Sequence, residues 1–162
     1  MLLAVVALSC NNDTPTCENN KQTIFLLDTI FQSGTTTDEF QSRYSYINTT
    51  EIQNTANPPV GNCEGYGMAR ITANYKHHNI NGELILRFFN NALCSVSFVP
   101  QDSSAYLKVL CERSALCMDS KTELYYKKAL VRRTNLADKG FAVVWEDECI
   151  MQKLNDFIKR CS

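Results

Sequence analysis

From Tyr66 onward the chain alternates. Ala69, Ile71, Ala73 and Tyr75 interleave with Met68, Arg70, Thr72 and Asn74. A period of two is that of a strand with one face buried. Leu84, Leu86 and Phe88 repeat the pattern, and Leu93 to Val99 makes a third strand that Pro100 ends. Asn79-Ile80-Asn81-Gly82 and Asn90-Asn91 read as tight turns, with Gly82 free to take positive φ and Asn tolerant of the left-handed region. Three strands and two tight turns predict an antiparallel meander.

Beyond Pro100 the period changes. Asp102-Ser103-Ser104 caps a short helix with Tyr106, Leu107, Leu110 and Cys111 on one face. Leu124 to Arg133 reads as one extended segment, Asp138-Lys139-Gly140 as a turn, and Phe141 to Trp145 as a short strand with Trp145 in the core. Glu146, Asp147 and Glu148 open a last helix and Lys159-Arg160 close it, each with the charge that suits the helix dipole. Ile150, Leu154, Phe157, Ile158 and Cys161 form one apolar stripe along it. Ahead of Tyr66 the pattern is weaker. Residues 24–31 are a short apolar block, read as a docking helix with a buried strand as the alternative. Residues 32–64 are polar and read as a long irregular connection with a short helix around Asp38–Tyr46. The order β-β-β-α-β-β-α predicts an α+β domain: an antiparallel sheet of about five strands with helices packed on one face. In outline this is similar to the β-lactamase-inhibitor-protein-like modules of envelope lipoproteins, on the cue Phe88-Phe89-Asn90-Asn91-Ala92-Leu93. That likeness implies architecture only.

Residues 2–8 are apolar, far short of the roughly 20 residues of a membrane span and suited to the core of a secretory signal. The run ends in Ala7-Leu8-Ser9-Cys10, which resembles a bacterial lipobox. The resemblance implies that residues 1–9 are removed, that Cys10 is lipidated, and that the membrane is a partner through that lipid. Residues 10–23 then form a polar tether and residues 24–162 a single domain. In lipoproteins of this kind Asp after the cysteine signals inner-membrane retention, so with Asn11 there the resemblance implies the outer membrane, facing the periplasm.

Sixteen basic residues against seventeen acidic ones give a net charge of −1, which offers nothing to nucleic acid. Eight cysteines in 162 residues suit an oxidising compartment. Cys17 with Cys63 would staple the N-terminal segment to the sheet, and Cys111 with Cys117 would close a short loop. Cys94 would pair with Cys149 or Cys161 or stay a buried thiol. Cys149 and Cys161 stand roughly 18 Å apart along one helix and cannot pair with each other. His77 and His78 are adjacent in a strand, so their rings point to opposite faces and no metal site is expected. No cofactor fingerprint or hydrolase motif occurs. The candidate partner surface is Tyr125, Tyr126, Lys127, Lys128, Arg132 and Arg133, either a guarded sheet edge or a patch for an anionic component or acidic protein.

The reading is an envelope-anchored lipoprotein with a non-enzymatic binding or structural role, contacting another protein or an envelope component. The alternative is a secreted, disulfide-rich binding module, for which the sequons at Asn12 and Asn48 would be surface sites. A small hydrolase using Cys63 or Cys94 with a histidine, or the acidic run at 146–148, comes last.

Overall fold

A computed structural model of the chain describes residues 23–59, 61, 63–118 and 122–161. The expectations for the signal, for Cys10, for Cys17 and for most of the tether lie outside the described residues. Among those residues, no helix is long and apolar enough to cross a membrane.

The fold is α+β. A two-stranded hairpin comes first, β1 (Phe25–Leu26) and β2 (Phe31–Gln32), followed by the helix α1 (Thr37–Arg43). Then come β3 (Thr49–Asn57), β4 (Tyr66–His77), β5 (Ile80–Phe89), β6 (Ala92–Pro100) and α2 (Ser103–Ser114). The strands β7 (Glu123–Tyr126), β8 (Ala129–Leu136) and β9 (Gly140–Glu146) precede the final helix α3 (Glu148–Cys161). The main sheet has seven strands in the order β3-β4-β5-β6-β9-β8-β7, with every neighbouring pair antiparallel.

The sheet therefore has seven strands where the pattern suggests about five, and each extra strand has a physical reason. Thr49–Asn57 is an edge strand exposed almost throughout, so its sequence carries no inside-outside alternation. The segment 124–133 is a hairpin, not one strand, because Lys127 and Lys128 take φ of +47° and +71°. The block 24–31 is also a hairpin, not a helix: Leu27 and Asp28 turn it at φ of +50° and +64°. Within the stretch read as irregular, α1 is set by a capping box between Thr36 and Glu39.

Three hairpins close through two-residue loops with both residues at positive φ: His78-Asn79, Asn90-Asn91 and Lys127-Lys128. Such loops match the right-handed twist of the flanking strands. Gly82 is not part of a turn. It lies in β5 opposite Pro100, where a Cβ would meet Val99 O at 2.4 Å and the Phe98 ring at 2.6 Å.

The helices lie on both faces, not one. On the first face Ile71, Leu84, Leu86, Phe88, Val96, Phe98, Val143 and Trp145 are covered by the β1–β2 hairpin, α1 and α2. Phe31 against Tyr44 and Phe98 against Tyr106 are close ring pairs there, at 5.0 and 4.8 Å between centroids. On the second face α3 sets Leu154 and Phe157 against Phe89, Cys94 and Tyr66. Its last residue, Cys161, is bonded to Cys63 in the β3–β4 connection, which replaces the expected Cys17–Cys63 pair. The reason is topological, since α3 runs back along the end of β4 and brings its C-terminus to that connection. Cys111 is bonded to Cys117, Cys149 also lies in a disulfide, and Cys94 is a buried thiol.

Candidate functional site

The expected basic patch is dispersed. Lys127 and Lys128 sit at the tip of the β7–β8 hairpin, and neither shares a strand face with the other basic residues. Arg132 faces the second side of the sheet and Arg133 the first, opposite Val143. The Tyr125 hydroxyl donates to Glu148 at 2.7 Å, tying the sheet edge to the start of α3, and this bond raises the tyrosine pKa to about 12. The edge strand here is β7, which carries none of these lysines and arginines; Arg132 and Arg133 lie on β8, between β9 and β7, so the guarded-edge reading does not apply to them.

A different basic feature occupies the second face. Register places Arg70 of β4 directly opposite Arg87 of β5, and Arg87 opposite Ser95 of β6. The next row reads Thr72, Ile85, Ser97, Val144 and Arg132. Thr72, Ser95 and Ser97 are buried, and their hydroxyls have no hydrogen-bond partner among the described residues, as is true of Arg70 Nε. Arg132 is paired with Glu146, whereas neither Arg70 nor Arg87 makes an ion pair with a described residue. A cavity of about 360 Å³ opens here, lined by Arg87, Arg132, Glu123, Glu146 and Val144 among others. Two like charges directly opposite across a strand pair repel each other. This site was hidden in the sequence because it depends on the β4–β5 register.

A second cluster sits at the opposite end of β4. His78 is the first turn residue after the strand, not a strand residue, so the expected divergence from His77 fails. The two rings lie 4.0 Å apart. Asp28, carried by the β1–β2 loop, accepts at one carboxylate oxygen from His78 Nε2 at 2.7 Å, Ser114 Oγ at 2.8 Å and His77 Nε2 at 3.3 Å. The Tyr106 hydroxyl lies 2.6 Å from His77 Nδ1. The Asp28 carboxylate at His77 Nε2 holds the ring proton there, so Nδ1 accepts from the Tyr106 O–H, whose pKa burial and the Asp28 charge push up. Burial holds His77 below its ordinary value. For Asp28, burial raises the pKa, but the hydrogen bonds from His77, Ser114 and His78 together outweigh it and keep the carboxyl below its usual range. Its other oxygen, Oδ1, is buried without a partner among the described residues.

The cluster contains Ser, His and Asp but not a nucleophile relay. A relay needs the acid on one imidazole nitrogen and the serine on the other. Here Asp28 and Ser114 both meet His78 at Nε2. Cys94 is no better placed for covalent chemistry: burial pushes its thiol to about 11, and it donates to the Arg87 carbonyl rather than to a histidine. Cys63 is held in a disulfide. The acidic run is divided among three tasks. Glu146 pairs with Arg132, Asp147 caps α3 through the amides of Cys149 and Ile150, and Glu148 holds Tyr125. No protein-family model matches this sequence, and a search of curated proteins finds no match.

Proposed function

We propose that this is an exported, non-enzymatic binding protein whose second sheet face takes an anionic group of a partner, either an acidic segment of another protein or an envelope component. The observation that carries this reading is the Arg70–Arg87 pair, two like charges set opposite each other above a buried row of unpartnered hydroxyls. An oxyanion seated there would turn a repulsion into two charge-assisted contacts and satisfy the hydroxyl donors. The disulfides Cys63–Cys161 and Cys111–Cys117 suit an oxidising compartment, shared by the lipid-anchored reading and its secreted alternative. Attachment through lipid at Cys10 is part of the proposal, and the intact mass of the mature protein distinguishes the two forms.

The binding test is calorimetric titration at low ionic strength with inorganic phosphate and with an Asp-rich peptide. Binding that weakens with salt and falls at least about tenfold in Arg70→Gln/Arg87→Gln supports the reading. Equal binding by the parent and the double variant overturns it. Phosphate alone binding would select an envelope headgroup as the partner chemistry, and peptide alone an acidic protein.

A further inference from the structure

We propose that Asp28, His77 and His78 form a binding site for a zinc-class divalent metal ion. One carboxylate oxygen and two imidazole nitrogens from these residues lie within 4.8 Å of one another. Two imidazoles and a carboxylate are the donor set that suits zinc and its neighbours, and three protein ligands leave the fourth position of a tetrahedron to water. The separations are close to what such a site needs. Metal–ligand bonds of about 2.0–2.1 Å place tetrahedral ligand atoms roughly 3.3 Å apart. His77 Nε2 and Asp28 Oδ2 already stand at 3.3 Å. His78 Nε2 and Asp28 Oδ2, now at 2.7 Å, must open by about 0.6 Å as the shared proton leaves.

Three further observations point the same way. His77 Nδ1 lies 2.6 Å from the Tyr106 hydroxyl, so when a metal takes Nε2 the ring proton moves to Nδ1 and is donated to the Tyr106 oxygen, the outer contact that orients an imidazole ligand. The buried Asp28 Oδ1 has no partner among the described residues, which leaves unused acceptor capacity on the same carboxylate. The loop that supplies Asp28 holds two non-glycine residues, Leu27 and Asp28, at positive φ. Such conformations persist only where the surroundings impose them, and they gather at ligand sites. Asp28 and His78 keep 13 and 19 % of their side-chain surface exposed, so an ion can enter from solvent.

The test is titration of Zn²⁺ into the metal-free, untagged chain at neutral pH by calorimetry. One ion per chain is expected, with affinity micromolar or tighter. His78→Asn is the decisive variant. Asparagine is at home at this turn position, so the hairpin is retained while the ligand is lost. Binding should fall at least about tenfold in His78→Asn and in Asp28→Asn, and about tenfold in Tyr106→Phe, which keeps the ring but frees His77. Cobalt should give the intense visible bands of four-coordination. Copper should quench Trp145, the chain's one tryptophan, whose ring lies 6.3 Å from His77, and should not do so in His78→Asn. No binding by the parent, or equal binding by a folded His78→Asn, overturns the proposal.

Discussion

The two faces of the sheet are made from the same strands and differ in kind. Residues of one parity on β4, β5, β6 and β9 are Ile71, Leu86, Val96 and Trp145, apolar and sealed under two helices and a hairpin. Residues of the other parity are Arg70, Arg87, Ser95 and Glu146, three of them ionisable and one an unpartnered hydroxyl. The first face does the folding. Among the described residues the second is covered at one end by α3, and beside Ile85 and Val144 it carries groups that stability alone would not select, because a buried hydroxyl without a partner destabilises the native state. On the proposed binding role, the two-residue period of the strand separates stability from recognition.

The sharpest way to break this comparison is to empty the first face. Phe98 is fully buried between Tyr106, Gly82 and His77. Phe98→Ala should cost about 3–5 kcal/mol, measured by chemical denaturation. A loss below about 1 kcal/mol would mean that the aromatic layer does not hold the fold.

Next in size is the Cys63–Cys161 disulfide, which closes a separation of 98 residues and holds α3 to the second face. Replacing both cysteines by Ser should cost about 2–4 kcal/mol. Hydrogen exchange should show the amides of α3 opening first while β4–β6 stay protected, since the apolar contact under α3 is small. Uniform loss of protection would show that the two faces fold as one cooperative unit.

Much of the first face was legible in the chain, and little of the second. The alternation at Ala69–Tyr75 and Leu84–Phe88 marks core strands directly, while of the second face the stripe Ile150–Leu154–Phe157 marks only its covering helix, α3. Turn placement was the weak link. Reading the β4–β5 turn at Asn79–Gly82 rather than His78-Asn79 shifts the register, and only the true register sets Arg70 against Arg87. The same shift hid the histidine cluster, because a turn residue need not obey the strand's alternation. Lys127-Lys128 lacks the Gly or Asn that usually marks a two-residue loop, so one strand was expected where there are two.

A smaller effect comes from Cys94, a thiol on the second face beneath α3. Burial raises its pKa from 9 to about 11. A raised acid pKa stabilises the fold fully below the unfolded value and loses that stabilisation as pH rises through the folded one. Stability should therefore decline between pH 9 and about 11, by about 2–3 kcal/mol from this group, and Cys94→Ala should flatten that part of the curve. Peptide mapping after alkylation at pH 8 should leave Cys94 of the native protein unlabelled. Rapid labelling there would mean that α3 opens far more readily than its packing implies.

The smallest expected effect is the most telling, because its sign is opposite. Ser97 is wholly buried on the second face, next to Ile85 and Val144 in register, and its hydroxyl is unpartnered. In an ordinary core, removing a group costs stability. Here Ser97→Ala deletes one oxygen whose hydration was lost on folding and never replaced, so the variant should be as stable as the parent or more so, by up to about 1 kcal/mol. If the hydroxyl instead serves a bound anion, the same substitution should weaken phosphate or acidic-peptide binding while leaving the free protein undamaged. A gain in stability with a loss of binding is the signature of a residue kept for recognition. A loss of stability with no change in binding would mean that the polar row is structural and that the two faces do the same job.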